Sequence, residues 1–438
     1  MRHLVLMLIL ASGSAAANVA SQSHRSQVAG IDLITYHTEV KDVVVILGSL
    51  PAGDAMAEPG NIAVPTLTGM MLDRGTKTLD KYAIAEQLDN VGAEIAFSVG
   101  TQSLEVRAKC LKKDLPLVIG LIAAELRTPA LQLAEFNKAK QQFIGALEAS
   151  AQNTEARAQE AFGRALFPQG HPNRPHAVTE YEAAAKTATL DELKAFHAKF
   201  YGPAHLTLIM VGDVAAAEAQ SEIGKAFNGW SGGQDYVRPA TPAVLTAAQV
   251  VTVPLADKPS VSVILGQPTG LRYKDSDALA LRVGTAVLGS GFTGRLMGSV
   301  RDKEGLTYNI GAAVAEDSIT DGSWSIAASF APSLLDKGIA STRRELEKWW
   351  KDGITDQELA ARKQGVVGGY LVGLSTTTGL ATAILVDLQR GYDVNRVDDF
   401  PAAVNALTRE QVNSAIKNRL NPSVMALIEA GSVPAKTP

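Results

Sequence analysis

Apolar runs and polar breaks divide this chain into strands and helices that occur twice. "VVVILG" at 43–48 and "VSVILG" at 261–266 are short runs rich in β-branched residues, and each predicts a buried strand. "EIAFSVG" followed by "SLEVRAKCL", and "YNIGAAVA" followed by "SWSIAASF", predict strands in neighbouring pairs. "LAEFNKAKQQFIGAL" and "DQELAARKQGVVGGY" space their apolar residues as amphipathic helices do. Strands adjacent in sequence, separated by long helices, favour an α+β unit in which helices cover a mostly antiparallel or mixed sheet.

The two sets align as an internal duplication. The apolar runs lie 218 residues apart. Downstream, "TLDELKAFHAKFYGPAHLTLIMVGD" from Thr189 lies over "TREQVNSAIKNRLNPSVMALIEAGS" from Thr408, so Pro203 meets Pro422 and Gly212 meets Gly431, both 219 residues apart. In each copy a helix opening on Thr-x-x-Glu or Thr-x-Glu ends before a proline, and a strand follows. Two homologous domains are expected, 21–232 and 247–438. Their linker, 233–246, lies where Gly, Pro and Ser cluster in "NGWSGGQDYVRPATPAV". Two repeats of this length argue against a helical solenoid.

With 438 residues and 46% apolar composition, the chain can bury sizeable cores. A net charge of −4, with no dense Lys/Arg run, argues against nucleic-acid binding. Residues 1–20 read as a signal peptide. Arg2 gives a basic start, Leu4 to Leu10 an apolar stretch too short to span a bilayer, and Ala15, Ala16, Ala17 and Ala20 supply small residues for cleavage. The mature chain is expected to begin near Asn18 or Ser21, in a bacterial periplasm or secreted. No other apolar stretch reaches about 18 residues, so no membrane span is expected. Cys110 is the only cysteine, which excludes an internal disulfide.

The histidines are His3, His24, His37, His171, His176, His197 and His205, and no two share a carboxylate at His-Glu-x-x-His or His-x-x-Glu-His spacing. His171 and His176 in "GHPNRPH" read as an ordered loop, and His197 and His205 as packing or surface positions. There is no G-x-S-x-G elbow, and Cys110 reads as a core residue.

Candidate chemistry concentrates in "RDKEGLTY", just after the glycine-rich "GSGFTGRL" with Gly289, Gly291 and Gly294. From Phe292 to about Lys303 apolar residues keep helical spacing, Gly305 is placed to end the helix, and "LTYNIGAAV" reads as a strand. Arg301 then falls in the last helical turn and Tyr308 near the strand start, so the two side chains can converge. Both are strong donors, suited to a peptide carbonyl and to the oxyanion that forms when water attacks it. The same residue types also serve as a macrodipole partner and as half-buried strand packing. A second glycine set from Gly365 is expected to allow close helix packing, and "STTTGLA" at 375–381 is a polar break.

These strings together resemble the pitrilysin, insulysin and mitochondrial processing peptidase family of zinc metallopeptidases, particularly its short bacterial members that work as two subunits. "GMMLDRGTKT", "FPQGHPNRP", "FYGPAHLTLIMVGDV" and "GRLMGSVRDKEGLTYNIGA" spread the likeness over nearly the whole mature chain. Family members carry an Arg and a Tyr seven positions apart, an interval that Arg301 and Tyr308 keep. Catalytic members also hold zinc with His-x-x-Glu-His on a helix just before Gly-Thr, and a further Glu follows roughly eighty positions on. Counting back from Gly75 and Thr76, the ligand, base and ligand positions carry Thr66, Gly69 and Met70. The third ligand falls near Leu147, and the adjacent Glu148 reads as a solvated helix residue.

The resemblance implies a chain that binds no metal and is inactive alone. It would pair with a homologous His-x-x-Glu-His chain that holds the zinc, and Arg301 and Tyr308 would act in trans on unfolded peptides. The alternative is a non-enzymatic scaffold or peptide-binding protein that kept the fold. An independent hydrolase lacks a candidate nucleophile or metal.

Overall fold

In the computed structural model, which describes residues 18–57, 60–235, 242–318 and 320–434, the strand segments pair into two sheets. The first contains β1 (Ser23–Val28), β2 (Ile31–His37), β3 (Val43–Leu50), β4 (Glu94–Val99), β5 (Leu104–Leu111) and β6 (Thr207–Gly212), in the spatial order β1-β2-β6-β3-β5-β4. The second contains β7 (Gln249–Pro254), β8 (Val261–Pro268), β9 (Ile310–Ala315), β10 (Ser323–Phe330) and β11 (Ala426–Gly431), in the order β7-β11-β8-β10-β9. One pair in each sheet is parallel, β2 with β6 and β7 with β11, and the other pairs are antiparallel. The α+β architecture and the duplication are as expected, with β1 an addition to the first sheet.

Each sheet buries one face against helices of its own half. Val44, Ile46, Leu104 and Val106 pack with Val118, Ile119 and Ile122 of the helix Leu115–Arg127. In the second half Val261, Val263 and Leu265 pack with Trp324 and Trp349. The two buried indoles donate to the Thr285 hydroxyl (2.9 Å) and the Gly284 carbonyl (3.2 Å), so neither ring strands a polar atom.

The opposite faces are covered by exchange between the halves. Leu380, Ala381, Ile384 and Leu385 of the helix Thr377–Gln389 lie on Val45, Leu47, Ile209 and Val211 of the first sheet. Ala158, Phe162 and Leu166 of the helix Thr154–Leu166 lie on Ile264, Ala426 and Ile428 of the second. The two halves are therefore not independent, since each sheet needs a helix from the other half to complete its burial. The join carries no helix or strand in its described residues between Phe227 and Gln249.

The strand pairing corrects the sequence alignment by one residue. Gly48 stands opposite Leu208, and Leu265 stands opposite Leu427, while Leu208 and Leu427 correspond at the 219-residue offset. Gly48 is therefore equivalent to Leu265 and not to Gly266. A Cβ on Gly48 would point at Leu208 and Val106 in its own core, whereas one on Gly266 would meet Phe162 of the exchanged helix. A slip of one residue exchanges the faces of a strand, and a match of apolar letters on a strand buried on both sides does not detect it.

The duplicated helix starts are capping boxes, Thr189 with Glu192 and Thr408 with Gln411, so Gln411 and not Glu410 completes the second. The polar break at 375–381 caps a helix as well, with the Thr376 hydroxyl accepting from the Gly379 N–H at 3.0 Å. The glycines from Gly365 do not serve close packing. Gly365, Gly368, Gly369 and Gly373 of the helix Asp356–Leu374 each face open space.

Glu125, on the helix Leu115–Arg127, is buried to 1% exposure, and its Oε2 has no hydrogen-bond partner among the described residues. Burial, and after it the charge of Asp73, pushes the carboxyl up from 4.5 to about 8. The folded chain thus holds this proton more tightly than the unfolded chain, and stability falls as pH rises through that interval. Glu125→Gln keeps the shape without the charge. It is expected to add a few kcal/mol at pH 9 and much less at pH 5, measured by urea unfolding at each pH. Equal effects at both would contradict the assignment.

Candidate functional site

Arg301 lies in the π-helical segment Met297–Lys303, whose end is closed by Gly305 at φ +63°. The N–H groups of Gly305 and Leu306 take the carbonyls of Arg301 and Val300 at 2.8 and 3.0 Å. The helical region begins at Arg295 and not at Phe292, because residues 290–294, with Gly291 at φ +64°, form a loop after the helix Ala278–Gly289. Gly289 is required there, since a Cβ would approach the Ala312 nitrogen of β9 to 2.3 Å.

Tyr308 is not in the strand, contrary to expectation. β9 starts at Ile310, and residues 306–309 are irregular. The Thr307 hydroxyl donates to the Ser329 carbonyl (2.6 Å) and accepts the Asn309 N–H (3.2 Å), a local turn that competes with the ladder. The turn leaves Tyr308 at 82% exposure.

The expected convergence is present. The Arg301 guanidinium carbon lies 5.0 Å from the Tyr308 ring centroid and 5.3 Å from that of Phe292, itself 76% exposed. Such cation–π contacts are worth roughly 0.5–1 kcal/mol at exposed sites, enough to orient the guanidinium. The Tyr308 hydroxyl forms no hydrogen bond among the described residues, and the carboxylate found near Arg301 is that of its neighbour Asp302, 3.9 Å away. The donors of this pair are therefore not used within the described chain. Phe292 was missed in the sequence, where it looked like one apolar residue of the helix. An exposed aromatic in a glycine loop was the available signal.

Of the positions that the resemblance compares with the metal motif, Thr66 and Gly69 lie on the helix Val64–Gly69 and Met70 caps its end. The Thr66 hydroxyl donates to Asp54 Oδ1 at 2.8 Å, and the Tyr181 hydroxyl donates to Asp54 Oδ2 at 2.7 Å. Burial raises the Asp54 carboxyl above its ordinary value, against the two hydroxyls that favour its charged form. Gly69 has no room for a side chain, since a Cβ would lie 2.3 Å from Val99 Cγ2. Met70 packs half-buried against the first core, Leu147 is half-buried, and Glu148 is exposed. These residues do not fit a zinc ion. Among the described residues no group of three His, Cys, Asp or Glu side chains is arranged to hold a metal.

A cleft of about 810 Å³ connects the two regions. Asp54, Leu147 and Tyr181 line one end, and Gly289, Gly291 and Asn309 line the other. One wall is fixed by His171, whose Nδ1 accepts the Asn173 N–H at 3.0 Å, so that Nε2 carries the proton and donates to Asp321 Oδ1 at 3.0 Å. Asp321 also accepts from the Ala243 N–H. With both nitrogens engaged and its ring stacked on Phe167, His171 is a latch between the halves and not a ligand. His197 is held by the Leu126 carbonyl at 2.8 Å, and Cys110 is buried with its thiol pushed up to about 11. Neither has the exposure or activation that chemistry requires.

Comparison with known proteins agrees with this geometry. Residues 187–366 match the family model described as the peptidase M16 inactive domain. An uncharacterized zinc protease of Streptomyces coelicolor is 25% identical over 356 residues, covering 80% of this chain and 76% of that protein. The non-peptidase homolog YmxG of Helicobacter pylori is 21% identical, covering 86% of each. A solved peptidase M16 inactive domain from Pseudomonas fluorescens superposes with a TM-score of 0.86 at 21% identity, over 95% of this chain and 100% of that one. The periplasmic protease PqqL of Escherichia coli gives a TM-score of 0.76 at 18% identity, over 99% of this chain but 48% of its own.

The chain thus shares the two-half fold of solved M16 structures. Within that fold, residues 187–366 match the peptidase M16 inactive domain.

Proposed function

We propose that this chain is the metal-free subunit of an exported two-chain peptidase. Its partner is a homologous chain carrying His-x-x-Glu-His and zinc, and the two close around an unfolded peptide. Tyr308 donates to the scissile carbonyl held at the partner's site, and Arg301 orients that carbonyl and stabilises the charge that develops on its oxygen. The observation that carries the reading is the outward-facing pair itself, an exposed phenol and a guanidinium steered by two rings, with no use for their donors among the described residues. The refilled positions at Thr66, Gly69 and Met70 explain why such donors need a site on another chain. The periplasmic protease PqqL, 48% of whose chain is covered by this one, supports the idea that a second unit of similar size completes the enzyme. Co-purification tests this reading: the chain and an M16 chain bearing His-x-x-Glu-His should elute together, with zinc in the partner alone. Separate elution would count against it.

The name of the Helicobacter relative favours a second reading, a scaffold or peptide-binding protein without a catalytic role. That reading leaves the Arg301–Tyr308 geometry without a purpose.

Export fixes where the mature chain starts. Of the two expected cleavage points, the one before Ser21 would remove Val19 and Ala20. Their N–H groups donate to the Asp398 carboxylate at 3.0 and 2.9 Å, and Val19 is buried on the exchanged helices. Sequencing of the exported protein is expected to begin at Asn18. A start at Ser21 would contradict this.

A further inference from the structure

The glycine loop that carries Phe292 is fixed at its two ends and by one side chain between them. At Gly289 a Cβ would approach the Ala312 nitrogen to 2.3 Å, and at Gly294 one would lie 3.1 Å from both the Leu288 carbonyl oxygen and the Ser290 nitrogen. These are backbone atoms that cannot swing away, so both ends need glycine. Between them Ser290, Gly291, Phe292 and Thr293 are exposed, and burial in the core does not set the direction of the Phe292 ring.

Arg362 reaches this exposed stretch from the helix Asp356–Leu374. Its Nη2 donates to the Ser290 carbonyl and to the Thr293 hydroxyl, both at 3.3 Å, so one guanidinium clasps the residues on either side of the Gly291–Phe292 tip. Among the described residues no other side chain hydrogen-bonds to residues 290–293. One turn earlier on the same helix, Glu358 takes Arg295, the first helical residue after the loop, in a two-pronged ion pair at 2.6 and 2.7 Å. The Arg295 guanidinium holds the Glu358 carboxyl down at about 2, so this second tie stays charged. Arg362 itself forms no ion pair among the described residues, and burial lowers its pKa below the ordinary arginine value. A salt bridge therefore does not account for it, and its contacts with the loop do.

We infer that Arg362 is a positioning residue for Arg301 and Tyr308, acting through the loop. By clasping Ser290 and Thr293 it sets the ring of Phe292, whose centroid lies 5.3 Å from the Arg301 guanidinium carbon. That ring in turn holds the guanidinium, whose carbon lies 5.0 Å from the centroid of Tyr308. Arg362 makes no hydrogen bond to Arg301 or Tyr308, so its influence passes through Phe292 alone. The inference rests on the reading of the pair as substrate donors, but the chain of contacts is tested without a partner or catalysis.

Fluorine NMR of the chain with its nine tyrosines replaced by 3-fluorotyrosine gives the measurement. The Tyr308 signal is assigned by its absence in Tyr308→Phe, and Arg301→Ala supplies the position of the phenol without its guanidinium. Arg362→Ala and Phe292→Ala are each expected to move the signal towards that position. The double variant should move it no further than Phe292→Ala alone, since a residue that acts through Phe292 then has nothing left to act on. Thr293→Val removes one of the two acceptors and should move the signal the same way by a smaller step, which keeps the test decisive if Arg362→Ala misfolds. A signal unmoved by Arg362→Ala and Thr293→Val, or shifts that add in the double variant, would overturn the proposal. In the assembled two-chain enzyme Arg362→Ala should lower kcat about two- to fivefold with KM unchanged, the loss expected of one guanidinium–ring contact. A moved fluorine signal with kcat unchanged would uphold Arg362 as the positioning residue and count against the peptidase reading.

Discussion

Replacing Tyr308 by Phe is expected to lower kcat of the assembled two-chain peptidase by about 10²- to 10³-fold, the usual loss for one donor to a developing oxyanion. The substitution removes one exposed hydroxyl that makes no hydrogen bond among the described residues. Folding stability should therefore change by less than about 0.5 kcal/mol, and complex formation should be unaffected. Because the hydroxyl strengthens its bond mainly as charge develops, KM should move little. Arg301→Ala is expected to lower both kcat and binding. Phe292→Ala, which removes one of the two rings steering the guanidinium, should cost a few-fold. Steady-state kinetics on the complex separates these outcomes. A variant Tyr308→Phe as active as the unvaried chain would remove Tyr308 from the site.

The second large effect concerns the positions that the resemblance compares with the zinc motif. Writing the zinc motif back with Thr66→His, Gly69→Glu and Met70→His is expected to destabilise the chain by at least about 2–4 kcal/mol and to bind no stoichiometric zinc. At position 69 any side chain meets Val99 at 2.3 Å, and loss of the Thr66 hydroxyl leaves half of the Asp54 carboxylate unpaired. Leu147 offers no third ligand. Adding Val99→Ala should recover part of the stability by opening space beside position 69, but none of the metal. Thermal unfolding combined with metal analysis reads both. Tight zinc binding by the triple variant, with folding intact, would show that the site was not refilled as described.

Much of this architecture is readable from residue patterns. Paired strand segments, two capping boxes and matched prolines and glycines announce two α+β halves before any coordinates. The interval between Arg301 and Tyr308 is legible as well, and the structure brings the two side chains together. What the letters hide is orientation. "VVVILG" and "VSVILG" look alike, yet Gly48 and Gly266 point to opposite faces, because strands buried on both sides lack the alternation that reports register. The glycines of Asp356–Leu374 read as a packing surface but face open space, since a helix pattern does not say what stands opposite. The exchange of Thr154–Leu166 and Thr377–Gln389 between the sheets is a tertiary fact that no local spacing encodes. Apolar continuity through "LTYNIGAAV" reads as strand up to Tyr308, but the hydroxyl of Thr307, through its hydrogen bonds, makes a turn there.

These features favour a division of labour. In one half a Thr–Asp–Tyr network stands where the resemblance would place a metal ligand, while the other presents donors outward beside a cleft. The dependence of those donors on a second chain is the central claim. Titration of this chain into a fixed amount of its His-x-x-Glu-His partner, followed by hydrolysis of a quenched fluorescent peptide, tests it most directly. The expected result is negligible activity for either chain alone and a rise that saturates at one to one. Full activity of the partner without this chain, or hydrolysis by this chain alone, would contradict the account.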